Sequence, residues 1–454
     1  MAHALGRHLV LIGFMGAGKS TLGAEVARRL GRPFHDVDRE VEGAHGEIWK
    51  LFEEQGENAF REFEADFVRD VCGRREPTVV AVGGGAVETR RLLDELDTLV
   101  VLLDVDVDTA WQRVQGSARP LARDEVEFRT RYERRRPLYE AAADARAIDT
   151  DDVLLAAAGI RFASHEEADG DAVIADEHVA ELHGIEATHL VPSGERAKTI
   201  AEAERLWRAL RLDRSDTLVV VGGGSATDVA GFVAATYLRG VAWKAVPSTL
   251  VGQVDAAIGG KTAIDLPEGK NLVGAFHWPA ETVLDPTLLE TLPAEEHENG
   301  LAEVVKTGLL SGDPLWELPL DAQIRACAAF KAAVCLRDPF EHGERAQLNL
   351  GHTFAHALEA ASGYALPHGR AVALGLLAAL RLSGLRNEAE LVDDVLHPEP
   401  AHVDRELAWG ALQRDKKGHD GRPRLVLLDG PGKPRWGVEV DPAEARAALD
   451  ALIE

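Results

Sequence analysis

Short apolar runs alternate with amphipathic segments through the first third of the chain. The apolar runs at 8–14, 78–82 and 98–105 each precede a segment with helical periodicity, at 19–30, 88–96 and 108–114. Such alternation predicts an α/β fold, with a parallel sheet covered by helices on both faces.

The same alternation resumes further along and then stops. Apolar runs at 172–176, 188–193, 217–224 and 243–249 predict a second α/β segment, whereas alanine- and leucine-rich helical patterns dominate from about Leu288 onward. The run "RPRLVLLDG" at 422–430 is a late strand-like exception. Near Ile148 the pattern dissolves into an acidic, alanine-rich stretch, which is the best boundary. We therefore predict domains at 1–157, 171–287 and 288–454, with a linker at 158–170.

Composition narrows the class of protein. The chain has 454 residues, too many for one ordinary core, and its 46% hydrophobic and 28% charged residues are typical of globular proteins. A net charge of -26 argues against nucleic-acid or membrane-surface partners. The three cysteines lack metal spacing, and no apolar run approaches the length of a membrane span. The N-terminal apolar run leads directly into a glycine-rich loop, so we expect a cytoplasmic protein without a signal peptide.

That loop carries the first chemical signal. "GFMGAGKST" matches G-x4-G-K-[ST], with Gly13 and Gly18 at its ends, then Lys19 and Ser20. Its backbone N–H groups cradle phosphates, the lysine reaches the β- and γ-phosphates, and the serine binds Mg²⁺. The strand before it and the helix after it make chance occurrence a weak alternative.

The loop indicates a nucleotide but not what accepts its phosphate. Asp36 and Asp38 follow a strand-like start, Arg61 lies in "FREFE", and three glycines at 83–85 follow an apolar run. Together with "RPL" and "RRPLY", this set resembles shikimate kinase over roughly residues 8–155.

The resemblance to shikimate kinase implies a P-loop kinase-like fold and a role for each matched residue. ATP would contact Gly13, Gly16, Gly18, Lys19, Ser20, Thr21, Arg113 and the lid residue Arg119. Mg²⁺ would be held by Ser20 and Asp36, and shikimate by Asp38, Arg61, Gly83, Gly84, Gly85 and Arg135. Asp38 would orient or deprotonate the attacking hydroxyl, while Lys19 and Arg119 would stabilise the transferred charge.

A second glycine triplet, Gly222–Gly224, ends the apolar run at 217–224. The spacing is not G-x-G-x-x-G, so the usual dinucleotide fingerprint is absent. A strand, three glycines and a helix start still suit a pyrophosphate.

Metal-binding and cationic residues follow this triplet. Glu303, His352, His356 and His368 are candidate ligands of a divalent metal, and His352 and His356 share a helical face. A polar set that suits a phosphate and a carboxylate comprises Lys261, Lys270, Asn271, Lys306, Lys331, Arg345, Asn349, Lys416 and Lys417.

The motifs "VDAAIGGKTAIDLPEGKNLVGAF", "AEVVKTG", "LNLGHTFAHALE" and "RDKK" resemble 3-dehydroquinate synthase from about Asp171 onward. The resemblance implies a Rossmann-like part and a mostly helical metal-binding part. NAD⁺ would contact Asp176, Glu195, Lys198, Gly222, Gly223, Gly224, Asp228, Ser248, Thr249, Asp255, Lys261, Lys270 and Thr291. Zn²⁺ or Co²⁺ would be held by Glu303, His352 and His368.

The same resemblance assigns the synthase substrate, a seven-carbon ketoacid phosphate. Its phosphate would meet Asn271, the proton-relay residue His356 and one of Lys416 and Lys417, with Arg239 reaching it from a second subunit of a homodimer. Lys331 and Arg345 would hold the carboxylate, Asn349 and Lys306 the hydroxyls, and Lys261 would lie between cofactor and substrate.

We predict a bifunctional enzyme of the shikimate pathway, and three alternatives stay open. The kinase half could act on another acceptor, such as gluconate or a nucleoside monophosphate. The second half could be an NAD- and metal-dependent polyol dehydrogenase, or a degenerate domain that only dimerises or regulates the kinase.

Overall fold

A computed structural model describes residues 5–89, 96–116, 124–415 and 422–454. The chain divides into two compact units, Met1–Ile160 and Arg161–Glu454. Both units contain parallel strands with helices between them, so the α/β prediction is confirmed.

The first unit is built on a five-stranded parallel sheet. Its strands are β1 His8–Ile12, β2 Phe34–Asp36, β3 Val79–Ala81, β4 Thr98–Leu103 and β5 Ala145–Ala147, in the order β2-β3-β1-β4-β5. The helices are α1 Lys19–Leu30, α2 Val37–His45, α3 Ile48–Glu54, α4 Gly56–Cys72, α5 Val107–Val114, α6 Glu125–Ala142 and α7 Thr150–Ala157. β1 and β4 are buried along their whole length, as continuous apolar runs require in a sheet covered on both faces.

Parallel pairing brings the ends of these strands to one edge of the sheet. The loop before α1 follows β1, α2 follows β2, and the glycines at 83–85 follow β3. Open α/β sheets bind ligands at this carboxyl edge.

The second unit begins with an α/β part. Its strands are β6 Ile160–Phe162, β7 Ala172–Asp176, β8 His189–Val191, β9 Thr217–Gly222, β10 Ala242–Pro247, β11 Lys261–Leu266, β12 Gly269–Phe276 and β13 Glu281–Leu284. β11 and β12 form an antiparallel hairpin, while the other six form a sheet in the order β6-β13-β10-β9-β7-β8. Helices α8 Glu177–His183, α9 Ile200–Ala209 and α10 Gly224–Thr236 follow β7, β8 and β9.

The rest of the second unit is mostly helical, as expected. It contains α11 Ala294–Ser311, α12 Leu320–Arg337, α13 His352–Ala361, α14 His368–Leu382, α15 Arg386–Leu396, α16 Arg405–Asp415 and α17 Pro442–Asp450. The strand-like run near 422–430 forms β14 Arg424–Leu428, which pairs antiparallel with β15 Pro434–Glu439. α14 is buried along most of its length because alanines, glycines and leucines let neighbouring helices approach it closely.

The segment expected to be a linker, 158–170, has defined structure. Arg161 pairs with Glu281 (Nε–Oε1 2.6 Å) on β13, and the backbone N–H of Ala163 donates to the carbonyl of Leu284. His165 contacts the buried Asp285 through both its backbone N–H and its ring. These contacts attach the segment to the sheet of the second unit.

In the part of the chain described, no helix has both the length and the apolar character needed to cross a membrane.

Candidate active sites

The glycine-rich loop between β1 and α1 has the geometry of a phosphate cradle. Gly18 caps α1 in a left-handed conformation with φ of 91°, which a residue with a side chain adopts only with strain. A Cβ on Gly13 would lie 2.7 Å from the carbonyl oxygen of Leu103, so that position also requires glycine. Glycine at these two positions therefore lets the loop take the conformation that leads into the N-terminus of α1.

Lys19 turns back onto this loop. Its Nζ donates to the carbonyls of Gly13 at 2.7 Å and Phe14 at 3.2 Å. Arg113 on α5 donates from Nη1 to the carbonyl of Gly16 at 3.1 Å. Two cations thus contact the loop, while Gly16, Ser20 and Thr21 lie in it or in the first turn of α1.

A second group of predicted residues comes together beside this loop. A Cβ on Gly83 would lie 2.6 Å from Oδ1 of Asp38, and one on Gly85 would fall on the Arg61 guanidinium. Gly84 accepts a hydrogen bond from Tyr139, and a Cβ there would lie 3.5 Å from the backbone nitrogen of Met15. The glycines therefore allow ionised side chains and the phosphate loop to meet.

Glu64 is a member of this group that the sequence interpretation did not single out. It is 2% exposed, accepts from the backbone N–H of Gly83 at 3.0 Å and pairs with Arg61 at 2.8 Å. Burial raises the pKa of Glu64, and the adjacent guanidinium opposes that rise. Its signal was the spacing in "FREFE", which puts Arg61 and Glu64 three residues apart on one helical face.

Three predicted kinase residues remain: Asp36, Arg135 and Arg119. Asp36 caps α2 by accepting from the backbone N–H of Arg39 at 3.4 Å, and it is nearly buried. Arg135 on α6 is buried. Arg119 lies outside the described residues.

In the second unit, the glycine triplet lies between β9 and α10. A Cβ on Gly222 would lie 3.0 Å from Cβ of Asp176, and one on Gly223 would lie 3.0 Å from Cγ2 of Thr249. The chain runs from β7 outward to β8 and then returns to β9 on the other side of β7. The triplet therefore lies where the strand order reverses, the place where open α/β sheets bind nucleotides.

Polar side chains surround this reversal point. Lys198 is buried and donates to Asp228 at 2.7 Å. Burial raises the pKa of Asp228 to about 6, although Lys198 opposes the shift. Ser225 donates to Glu195 at 3.1 Å, and Nε2 of His183 lies 2.8 Å from the hydroxyl of Thr291.

Ser248 follows β10 at the same edge of the sheet. Its Oγ is buried and has no hydrogen-bond partner among the described residues. An unpaired buried hydroxyl costs free energy, so a ligand that bonds to it is favoured. The predicted NAD residues lie at the ends of strands of this sheet, in the segments that follow them, or in the first two turns of α10: Asp176, Glu195, Lys198, Gly222, Gly223, Gly224, Asp228, Ser248 and Thr249.

Three of the four candidate metal ligands converge, from three different helices. The ligand atoms of Glu303, His352 and His368 lie within 4.8 Å of one another. Nε2 of His352 is 3.4 Å from Oε1 of Glu303, and Nε2 of His368 is 3.3 Å from the same oxygen. Tetrahedral zinc ligands at about 2.0 Å from the ion are about 3.3 Å apart, so the spacing suits the metal.

The hydrogen bonds of His352 supply an independent test of this fit. Its Nδ1 lies 3.1 Å from the carbonyl of Leu350, which can only accept, so Nδ1 carries the proton. Burial and the charge of Lys306 lower the pKa of His352, which keeps the ring neutral. A lone pair on Nε2 therefore faces a carboxylate oxygen, an arrangement that a bound cation stabilises.

Glu303 itself is buried and ionised. Burial opposes ionisation, but the charge of Lys306, with a contribution from His368, holds its pKa well below the usual value. His356, on the same helix as His352, is exposed and does not join the cluster of three.

Two lysines extend the site from the metal cluster towards Asp255. Lys306 forms ion pairs with Glu303 and with Asp255, the latter at 3.4 Å. Lys331 donates to the carbonyl of Asp255 at 2.7 Å and pairs with its carboxylate. Asp255 therefore brings two lysines from α11 and α12 to one place beside the cluster.

Arg345, Asn349 and Lys261 form the next part of the site. Arg345 is 1% exposed and donates to the carbonyls of Pro339 and Gly259, and its Nε is buried without a hydrogen-bond partner in the described chain. Glu341, which the sequence interpretation missed, pairs with Lys261 at 2.5 Å and accepts from Asn349 at 3.0 Å.

The other predicted synthase residues lie elsewhere in the second unit or fall outside the residues that the structure describes. Lys270 and Asn271 lie on the β11–β12 hairpin, where Lys270 is 3.7 Å from Glu195. Arg239 follows α10 in a left-handed conformation with φ of 68°. Lys416 and Lys417 are not among the described residues.

Family models match both units. The shikimate kinase model matches residues 15–159. The N-terminal and C-terminal models of 3-dehydroquinate synthase match residues 188–299 and 300–417. The protein therefore belongs to a class in which a P-loop kinase unit is followed by a dehydroquinate synthase-like unit.

One relative spans both units. The bifunctional shikimate kinase/3-dehydroquinate synthase of Thermotoga maritima is 33% identical, over 97% of this chain and 100% of its own length. The chain belongs to this bifunctional shikimate kinase/3-dehydroquinate synthase family, as the sequence motifs predicted.

Solved structures resemble the second unit. A 2-deoxy-scyllo-inosose synthase complexed with carbaglucose-6-phosphate, NAD⁺ and Co²⁺ has a TM-score of 0.58 and 25% identity, covering 65% of this chain and 96% of that one. A 2-epi-5-epi-valiolone synthase from Streptomyces hygroscopicus, with NAD⁺ and Zn²⁺ bound, has a TM-score of 0.56 and 26% identity, covering 65% and 91%.

Proposed function

We propose that the first unit transfers the γ-phosphate of ATP to the 3-hydroxyl of shikimate. The observation that carries this is the meeting of Asp38, Arg61 and the glycines at 83–85 beside the phosphate loop. Arg61 presents a forked cation to the substrate carboxylate, and Arg135 supplies a second one. Asp38 lies where it orients the attacking hydroxyl and accepts its proton.

Lys19 changes partners in this mechanism. Its Nζ leaves the carbonyls of Gly13 and Phe14 for the β- and γ-phosphates, which compete better for an ammonium group because they are charged. Mg²⁺ held by Ser20 and Asp36, when bound, neutralises charge on the phosphates. Arg113 and Arg119 complete the cationic surroundings of the nucleotide.

The second unit, in our proposal, converts 3-deoxy-D-arabino-heptulosonate 7-phosphate to 3-dehydroquinate and phosphate. The convergence of Glu303, His352 and His368 beside the cations around Asp255 carries this assignment. When bound, NAD⁺ takes and returns a hydride and the divalent metal polarises the hydroxyl that is oxidised.

The residues of the chain position the substrate and move its protons. Lys331 and Arg345 bind the carboxylate, and Lys306 and Asn349 bind ring hydroxyls. Asn271 and His356, with Lys416 or Lys417, bind the phosphate that leaves. Lys261 lies between the cofactor and the substrate, held by Glu341. Asp255 and Thr291 contribute to the cofactor site together with the residues at the carboxyl edge of the sheet.

Phosphate release tests the synthase assignment directly. The purified full chain, loaded with zinc and NAD⁺, should release inorganic phosphate from the heptulosonate phosphate without accumulating NADH, and a chelator should abolish release. Steady NADH accumulation would instead identify a polyol dehydrogenase. If the purified protein binds neither zinc nor NAD⁺, the second unit is instead a degenerate domain that only dimerises or regulates the kinase.

The kinase assignment is tested by acceptor choice. Shikimate should be phosphorylated in an ATP-dependent reaction that Lys19→Ala abolishes. Preference for gluconate or a nucleoside monophosphate over shikimate would contradict the assignment.

We also propose a cytoplasmic homodimer. All three cysteines are free, which suits a reducing compartment. Arg239 would reach the phosphate site of a second copy, so mixing Arg239→Ala with a variant inactive at Lys331 should restore at most one intact site per dimer.

A further inference from the structure

The β11–β12 hairpin is irregular at Asp265. Ile264 is paired with Val273, but Leu266 is paired with Gly269, so the register shifts between the two pairs. Such irregularities re-aim side chains next to active sites. On the opposite strand, Asn271 has φ of 57°, a left-handed conformation that a non-glycine residue keeps only when its surroundings hold it.

Asp265 and Lys198 hold Asn271 in place. Oδ1 of Asp265 accepts from the backbone N–H of Asn271 at 2.8 Å, and Nζ of Lys198 donates to the Asn271 side chain. The backbone N–H of Asp265 donates to the carbonyl of Lys198 at 2.8 Å. The hairpin is therefore attached to the Lys198 segment at several points, with Asp265 in the middle.

The other partners of this group belong to the cofactor side. Lys198 pairs with Asp228 at 2.7 Å, and its Nζ lies 3.9 Å from Oδ1 of Asp265. Burial raises the pKa of Asp265, and the neighbouring Glu195 adds to that rise. Glu195 also accepts from Ser225, in the first turn of the helix after the triplet Gly222–Gly224.

We propose that Asp265 is a positioning residue that couples the cofactor site to the phosphate site, so that each ligand strengthens the binding of the other. The proposal rests on the function assigned above, in which Lys198, Glu195 and Asp228 contact NAD⁺ and Asn271 contacts the substrate phosphate. Asp265 touches neither ligand. A ligand that fixes Lys198 and Glu195 also fixes Asn271 through Asp265, so the second ligand loses less conformational entropy on binding.

The test is a titration of the full chain with NAD⁺, with and without excess inorganic phosphate, by calorimetry. Every protein is zinc-loaded and carries Lys19→Ala, which weakens phosphate binding at the kinase loop. With Asp265 intact, phosphate should tighten NAD⁺ binding by about 5-fold or more, within the usual range of coupling between sites. NAD⁺ should tighten phosphate binding by the same factor, because coupling is reciprocal.

Two substitutions identify the residue responsible. Asp265→Ala should bring the ratio of the two NAD⁺ dissociation constants to about 1, since the contacts of the Asp265 carboxylate with Asn271 and Lys198 are lost. Asp265→Asn should keep most of the coupling, because its amide oxygen still accepts from the backbone N–H of Asn271. Zinc content and NAD⁺ affinity without phosphate show whether each variant is folded.

The outcomes separate this inference from the assigned function. NAD⁺ binding that phosphate does not affect, with Asp265 intact, would overturn the coupling alone and leave the cofactor assignment standing. Coupling that survives in Asp265→Ala, or is lost in Asp265→Asn, would overturn the role of this side chain. No NAD⁺ binding at all would overturn the cofactor assignment and the coupling with it. If Asp265→Ala does not fold, the proposal is tested by two other measurements: the titration of phosphate with and without NAD⁺, and the coupling in Asp265→Asn.

Discussion

Each unit has a buried strand that is followed by three glycines, yet different groups surround the two triplets. At Gly83 and Gly85, an added Cβ would meet the polar side-chain ends of Asp38, Glu64 and Arg61. These glycines make room for charged side chains that approach the backbone. The kinase triplet is therefore a part of the candidate shikimate site itself.

At the second triplet, an added Cβ would meet mostly apolar atoms. The nearest are Cβ of Ala226 for Gly222, at 2.7 Å, and Cβ of Ala256 for Gly224, at 3.2 Å. These glycines allow a helix to pack closely on the end of a strand and so bring its N-terminus to the edge of the sheet. The absence of a side chain thus makes room for polar side chains at the first triplet and for close packing at the second.

The largest effects should separate the two units. Lys19→Ala should lower kcat/KM for shikimate phosphorylation by about 10³-fold or more, and leave phosphate release by the synthase unchanged. Glu303→Gln should lower phosphate release by the synthase and leave shikimate phosphorylation unchanged. The substitution removes a proposed metal ligand and with it several kcal/mol of charge stabilisation. Coupled assays of both activities on each variant provide the measurement, and zinc content is the control. Loss of both activities in either variant would contradict independent sites.

The triplets themselves should respond differently to alanine. Gly85→Ala should raise KM for shikimate by about 10- to 100-fold, because the new methyl group displaces the Arg61 guanidinium, while KM for ATP stays unchanged. Gly222→Ala should instead lower the free energy of unfolding by about 1–3 kcal/mol through overpacking against Ala226. Steady-state kinetics and chemical denaturation distinguish the two. If Gly222→Ala changed the kinetics of one substrate without lowering the free energy of unfolding, the packing role of Gly222 would be contradicted.

Asp228, in the helix after the second triplet, predicts a pH dependence of stability. Its pKa is about 6 in the folded protein and ordinarily 3.8, so the folded state binds the proton more tightly. Its contribution to stability, about 3 kcal/mol, is complete below pH 4 and is lost as pH rises to about 6. The difference in unfolding free energy between the wild type and Asp228→Asn should fall over this range and stay level above it. If this difference in unfolding free energy does not change with pH, the pKa of Asp228 is not raised in the folded protein.

The smallest effect concerns the contact between the hairpin and the loop before His368. Nζ of Lys270 lies 4.7 Å from the centre of the Tyr364 ring. Tyr364→Ala should raise KM for the synthase substrate by about 3- to 5-fold, the range of an exposed cation–π contact. Tyr364→Phe keeps the ring and should match the wild type in synthase kinetics. Equal effects of the two variants would assign the role to the hydroxyl instead.

Much of the fold could be predicted because the signals are local. Continuous apolar runs followed by helical periodicity identified the α/β parts, and the loop before Lys19 was evident from nine adjacent residues in "GFMGAGKST". The metal cluster was harder, since Glu303 and His352 lie far apart in sequence. The resemblance supplied that grouping, and the distances among the three ligands agree with it.

The residues that were missed are buried or half-buried carboxylates whose partners lie at a distance in sequence. Glu341 pairs with Lys261 across 80 positions, and Glu64 contacts Gly83 across 19. An isolated glutamate is usually a solvated surface residue, so neither stands out until the fold is known. Asp265 was missed for a related reason, because the shift in register that gives it its role is invisible in the pattern of apolar positions.

The contacts of residues 161–169 bear on how the two activities can be separated genetically. A chain truncated to begin at the predicted start of the synthase domain, residue 171, would lose Arg161 and His165 and uncover the backbone of β13 next to Glu281. An uncovered strand edge invites pairing between molecules, so such a fragment should aggregate. Cutting ahead of Ile160 keeps β6 in its sheet, and a soluble, zinc-binding fragment is then the expected product.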